Sequence, residues 1–130
     1  IASADLRFES RVRTVVPAHK VFWTGNGSLL LPGLVLGANG ACMMLANVAP
    51  QKCFDVLRSF TEGKMAEAQA AQTSLLEADW QILSRGAAGL KAALTLLEFD
   101  AGLPRRPALP CAPADVEQIR NGLRIAGLIE

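Results

Sequence analysis

The feature that most constrains this chain is a form repeated between Lys20 and Pro50: a short apolar run, a small loop, then a turn-bounded apolar segment. Val21-Phe22-Trp23 leads into Thr24-Gly25-Asn26-Gly27-Ser28, and Ala41-Cys42-Met43-Met44-Leu45 leads into Ala46-Asn47-Val48-Ala49-Pro50. Parallel strands covered by helices read as continuous apolar runs rather than as alternating ones. The pattern therefore predicts a βαβα unit, an α/β arrangement with strands at Val21–Trp23 and Ala41–Leu45 buried on both faces.

The rest of the chain can supply a core. Its 130 residues are 51% hydrophobic, enough for one ordinary domain and too apolar for disorder. Net charge is only +1 and the basic residues are dispersed, so the composition gives no reason to expect nucleic acid or an anionic membrane as partner. The uncharged stretch from Val21 to Val48 is long enough to span a bilayer. Gly25-Asn26-Gly27-Ser28, Pro32-Gly33 and Gly37-Ala38-Asn39-Gly40 interrupt it, so a membrane helix is not expected. No basic leader with an apolar core and small-residue cleavage site opens the chain, and the first residue is Ile1 rather than Met; the expectation is that the true N-terminus lies elsewhere.

Cys42, Cys53 and Cys111 are odd in number, widely spaced and free of any CxxC or Cys/His ligand pattern. That favours a reducing, cytoplasmic setting and gives no metal site. Cys42 and Cys53 read as small buried hydrophobes and Cys111 as a loop residue.

In chain order, Ser3 or Asp5 can cap a helix carrying Leu6, Phe8, Val12, Val15 and Val16, which Pro17 stops. His19 falls in the connection that follows, as a solvated side chain. Ser28 can cap a helix to Leu36 with Gly37 just past its end, and Pro32 sits in the first turn, where a missing N–H costs little. The Gly25-Asn26-Gly27 loop can offer N–H groups to a ligand but lacks the lysine of a phosphate loop. Helices follow around Cys53–Phe60, closed by Gly63, and over Met65–Leu83, with Trp80 at an edge. Gly86-Ala87-Ala88-Gly89 is expected to break the chain before a helix at Leu90–Phe99. Pro104–Pro113 reads as an irregular link and Ala114–Ala126 as the last helix.

Four separated motifs together resemble the C-terminal half of the dihydrodipicolinate synthase and N-acetylneuraminate lyase family. They are Thr24-Gly25-Asn26-Gly27-Ser28-Leu29-Leu30-Leu31-Pro32, Leu36-Gly37-Ala38 with Gly40, Leu45-Ala46-Asn47-Val48-Ala49-Pro50, and Arg106-Pro107-Ala108-Leu109-Pro110. The resemblance runs from Ile1 to Glu130. It implies the C-terminal part of a (β/α)8 TIM barrel over residues 1–62, with the end of strand six at Ile1–Asp5, strand seven at Val21–Trp23 and strand eight at Ala41–Met44. A C-terminal helical extension would occupy residues 63–130.

The implied chemistry is that of a class I aldolase, a lyase or synthase acting on pyruvate or a related 2-oxo acid and an aldehyde through a lysine Schiff base, without a cofactor. The implied assembly is a homotetramer. Sites in such barrels lie at the carboxyl ends of strands. That puts Ser3, Thr24-Gly25-Asn26 and Cys42-Met43 at the mouth, with Thr24, Gly25, Asn26 and Cys42 as the substrate-binding residues. Asn26 stands where many members carry an acid.

The family's proton-shuttling tyrosine has no counterpart in a chain without Tyr. Lys20, Lys52, Lys64 and Lys91 map to helices or helix-side connections, so none is assigned the imine. The resemblance places the Schiff-base lysine immediately before Ile1.

Two classes of function stand at this point: part of a Schiff-base lyase, or a noncatalytic half-barrel or interaction module. A whole barrel takes about 250 residues, and half of one would leave strand edges and an apolar face open, which favours the lyase over an autonomous, inactive module. Within the family, N-acetylneuraminate, 2-keto-3-deoxy sugar acid and 4-hydroxy-2-oxoglutarate aldolase activities remain alternatives.

Overall fold

The computed structural model describes residues 2–130. Its first helix, α1 (Leu6–Val15), starts where Asp5 accepts hydrogen bonds from the backbone N–H groups of Arg7 (2.9 Å) and Phe8 (3.2 Å). A carboxylate there satisfies donors that the helix itself leaves open. The buried residue of α1 is Glu9, while Leu6, Phe8 and Val15 are exposed. The apolar positions read from the sequence do not form the buried face of this helix among the described residues.

Two parallel strands follow, β1 (Trp23–Thr24) and β2 (Gly40–Ala41), paired Trp23 to Gly40 and Thr24 to Ala41. Both are shorter than their apolar runs. The first run alternates: Val21 and Trp23 are 69% and 50% exposed, Phe22 and Thr24 4% and 0%. Burial on both faces, expected from the continuous apolar run, is therefore corrected to burial on one face. Outside the paired residues the ladder continues as single bonds, from Asn39 N–H to the Phe22 carbonyl (2.8 Å) and from Cys42 N–H to the Thr24 carbonyl (2.9 Å).

The second run leaves the strand after Ala41. Met44–Asn47 closes into a 3₁₀ turn through Ala46 N–H to Met43 O and Val48 N–H to Leu45 O, so the predicted strand to Met44 or Leu45 is also corrected. An apolar run announces burial but not dihedral angles. Here local i to i+3 bonds satisfy the backbone that a longer ladder would have used.

Between the strands, Gly27–Leu29 forms a 3₁₀ turn that passes into α2 (Leu30–Val35). Gly37, at φ +88°, ends it as expected. Then come α3 (Pro50–Thr61), α4 (Met65–Leu83), α5 (Gly86–Leu96) and α6 (Pro113–Ile125). Helix α5 begins at Gly86 rather than Leu90. Gly89 lies inside it against the Ile82 carbonyl, where a Cβ has no room, so the glycines let α5 fold back on α4 instead of separating the two.

Two apolar clusters hold these elements. One joins Leu30, Leu34, Leu45 and Val56 to Leu75 and Ala78 of α4; the other joins Val48 and Ile82 to Ala93, Ile119 and Leu123. Helix α4 enters both, with Leu75 and Ala78 fully buried and Ile82 nearly so, and it is the element to which the strand segment is fastened. Among the described residues no helix is long and apolar enough to cross a membrane.

Candidate functional site at the carboxyl ends of the strands

Thr24 ends β1 and is completely buried. Its hydroxyl donates to Glu9 Oε1 of α1 at 3.2 Å, and its carbonyl receives the Cys42 N–H. On the other side Gly33 of α2 packs so closely that a Cβ there would stand 2.9 Å from Thr24 Cβ. Thr24 is thus fixed by a helix on each side, through a hydroxyl bond and through a missing side chain. The other Glu9 oxygen, Oε2, is buried with no partner among the described residues.

Gly25 and Asn26 follow directly and open at the same end as Cys42, the residue after β2. Gly25 is partly exposed, and Cys42 is exposed. The reading of Cys42 as a buried hydrophobe is corrected; Cys53, at 7% exposure, is buried as expected. The four residues Thr24, Gly25, Asn26 and Cys42 are therefore neighbours across the two strand ends, as parallel pairing in this register requires.

Asn26 is 8% exposed and its side-chain Oδ1 accepts from the Ser28 N–H at 3.0 Å. It, and not Ser28, caps the turn that opens the following helix. Ser28 is held elsewhere: its N–H and its hydroxyl both donate to Asp79 Oδ2 of α4, at 2.8 and 2.5 Å. Gln72, two helical turns earlier on α4, donates from Nε2 to the Gly27 carbonyl (3.0 Å) and accepts from the Leu31 N–H on Oε1 (2.9 Å). Gly27 has no room for a side chain, because a Cβ would run into the Asp79 carboxylate.

Asp79 reaches one more group. The Cys53 thiol is pushed up to about 11, mostly by burial and secondarily by the Asp79 charge.

The other expected mouth residues fall less centrally. Ser3 uses its hydroxyl oxygen to accept from Asp5 N–H (3.0 Å). Met43 packs partly buried against the apolar cluster of α2, α3 and α4. Ile1, and the lysine expected before it, lie outside the described residues; Ala2–Asp5 contain no strand. No group of three or more His, Cys, Asp or Glu side chains that could hold a metal occurs among the described residues.

Glu9, Gln72 and Asp79 were not legible as site residues. The available signal was polar residues on apolar helix faces: Gln72, Leu75, Ala78, Asp79 and Ile82 form the buried stripe of α4.

Loops gathered at the carboxyl ends of parallel strands and backed by helices are the site architecture of α/β proteins. The chain belongs to the dihydrodipicolinate synthetase family, whose profile matches residues 1–126. It is 33% identical over 129 residues to an L-threo-3-deoxy-hexylosonate aldolase of Hypocrea jecorina, an alignment that takes in 93% of this chain and 41% of that protein. It is 30% identical over 131 residues to a 4-hydroxy-tetrahydrodipicolinate synthase of Mycolicibacterium paratuberculosis, covering 98% and 42%. The chain thus spans about two fifths of the length of these curated relatives. Its fold matches that of the dihydrodipicolinate synthase of Thermotoga maritima with a TM-score of 0.92 at 23% identity, over 99% of this chain and 45% of that one.

Proposed function

We propose that this chain forms the seventh and eighth strands and the helical extension of a (β/α)8-barrel lyase that joins pyruvate or a related 2-oxo acid to an aldehyde, or separates them, through a lysine Schiff base. Strand seven is β1, strand eight is β2, and the extension is built from α4, α5 and α6. The observation that carries the reading is the convergence of Gly25, Asn26 and Cys42 at one end of a parallel strand pair, behind a buried and hydrogen-bonded Thr24, in a member of this family. The relatives named above are an aldolase and a synthase by their names, which supports chemistry that joins or separates carbon skeletons and leaves the aldehyde open.

In this reading the lysine lies immediately before Ile1, outside the described residues. Its neutral amine adds to the carbonyl carbon of the 2-oxo acid and water leaves. Loss of a C3 proton gives an enamine, which forms the new carbon–carbon bond at the aldehyde, and hydrolysis returns the amine. This chain's residues bound the site: the Gly25 backbone leaves space for the 2-oxo acid, the Asn26 side chain faces the second substrate, and the Cys42 carbonyl faces the lysine.

Treating the complete protein with pyruvate and borohydride, then mapping the reduced adduct by mass spectrometry, tests the reading. Adduct on the residue joined to Ile1 is expected; adduct on another lysine, or none, overturns it. Gly25→Val should remove turnover in a protein that stays folded, because a β-branched side chain fills the substrate's space. Met65, Leu76, Trp80 and Leu83 of α4 are exposed apolar residues that fit the tetramer assembly expected for the extension. Light scattering on the complete protein at micromolar concentration checks that, and a monomer ends it.

A further inference from the structure

We propose that Asp79 of α4 is a positioning residue for the second substrate, acting through Ser28 to set how the Asn26 side chain is presented. This deepens the function proposed above and rests on it. Asp79 is 3% exposed, and a buried carboxylate is costly unless its oxygens are hydrogen-bonded. An apolar residue would pack α4 against the 3₁₀ turn without that cost.

What the carboxylate adds is direction. Its Oδ2 takes both donors of Ser28, the N–H at 2.8 Å and the hydroxyl at 2.5 Å, and bonds of this type to an ionised acceptor are about twice as strong as neutral ones. The same Ser28 N–H is shared with Asn26 Oδ1 at 3.0 Å. Asn26 is therefore held with its carbonyl oxygen turned into the loop, and its amide nitrogen, which makes no hydrogen bond among the described residues, is the group left for a ligand.

The surroundings are built around the carboxylate. Gly27 leaves the space that Asp79 fills, and Gln72 fixes the backbone on either side of Ser28 at Gly27 and Leu31. If Asp79 were only packing, its loss would lower stability and leave the kinetics of the folded enzyme alone. If it sets the loop, its loss frees Asn26 and weakens the second substrate more than the first.

The experiment uses the complete protein as wild type, Asp79→Ala, Asp79→Asn and Ser28→Ala. Pyruvate is the 2-oxo acid; L-aspartate semialdehyde and glyceraldehyde are the aldehyde probes. In Asp79→Ala the KM for whichever aldehyde is turned over should rise about tenfold, with the rate of borohydride-trapped adduct formation from pyruvate within about twofold of wild type. Asp79→Asn keeps an acceptor oxygen and should recover most of the loss, and Ser28→Ala serves as the main variant where Asp79→Ala does not fold. Ser28→Ala removes only the hydroxyl donor and should give a smaller rise, about threefold.

An unchanged aldehyde KM in folded Asp79→Ala, or in Ser28→Ala where Asp79→Ala does not fold, or a pyruvate effect as large as the aldehyde effect, overturns the proposal. Hydrogen exchange is read in parallel: faster exchange in Asp79→Ala over residues 24–31, with α6 unchanged, supports it, and unchanged exchange over 24–31 overturns it. Absence of any adduct in the wild type defeats the catalytic reading instead, and the exchange measurement then decides the role of Asp79 without it.

Discussion

The strand segment, residues 20–49, and the helical layer of α3 to α6 are held together by different means. In the helical layer burial is mainly apolar, with Val56, Leu75, Ala78, Ile82, Ala93, Ile119 and Leu123 all at or below 1% exposure, and the buried Gln72 and Asp79 of α4 bond to the strand segment. The strand segment lends Leu30, Leu34, Leu45 and Val48 to the same clusters, but it pairs over two residues with one further bond at each end, and its loop is fixed by polar groups: Thr24 on Glu9, Ser28 on Asp79, and the Gly27 and Leu31 backbone on Gln72. Apolar contact is non-directional and sets stability, whereas a hydrogen bond sets where an atom lies. The segment that carries the candidate site is thus the one whose geometry depends on directed bonds.

That contrast can be broken by substitutions in each region. The largest effect is expected from Leu75→Ala in α4, which leaves a cavity in a fully buried position and should cost about 2–5 kcal/mol in denaturant unfolding. The kinetic constants of the molecules that remain folded should not move. A changed aldehyde KM there would mean that the two regions are not separable.

Gly33→Val is next. It forces a side chain onto Thr24 and should cost about 1–3 kcal/mol while also reducing turnover of folded enzyme. Stability lost with full activity retained would show that the fixing of Thr24 is irrelevant to the site. Asp5→Ala removes the cap of α1 and should cost about 1 kcal/mol, read as a lower unfolding midpoint with unchanged slope. The exposed Arg58–Asp55 pair on α3 should give the smallest effect, below about 0.5 kcal/mol for Asp55→Asn.

Titration sharpens the comparison from the core side. The Cys53 thiol, raised from 9.0 to about 11, stays protonated in the folded chain while the unfolded chain ionises. The unfolded state then binds fewer protons, so this residue's contribution to stability is level below pH 9 and falls as pH rises from 9 toward 11. Cys53→Ala should flatten that part of the stability curve. Alkylation should separate the cysteines in the same sense, with exposed Cys42 modified by iodoacetamide well before Cys53; equal rates would contradict the burial of Cys53.

The sequence by itself determined most of the helices, with the start of α5 the exception. Periodicity, Asp5, Pro17, Gly37 and Gly63 marked α1, α2 and α3 near their ends, and α4 runs over Met65–Leu83 as its pattern indicated, because each signal lies within a few positions of what it controls. The family resemblance put Thr24, Gly25, Asn26 and Cys42 at adjoining strand ends, and the parallel register sets Thr24 opposite Ala41 there. Tertiary structure decided the rest. Strand length depends on how far a partner strand runs alongside, so two apolar runs became two residue pairs with Val21 and Trp23 exposed. The anchoring of the loop was equally unreadable: Ser28 and Asp79 are 51 residues apart, and nothing local to either says that one accepts from the other. Only the packing of α4 across the strand ends brings that carboxylate to that hydroxyl.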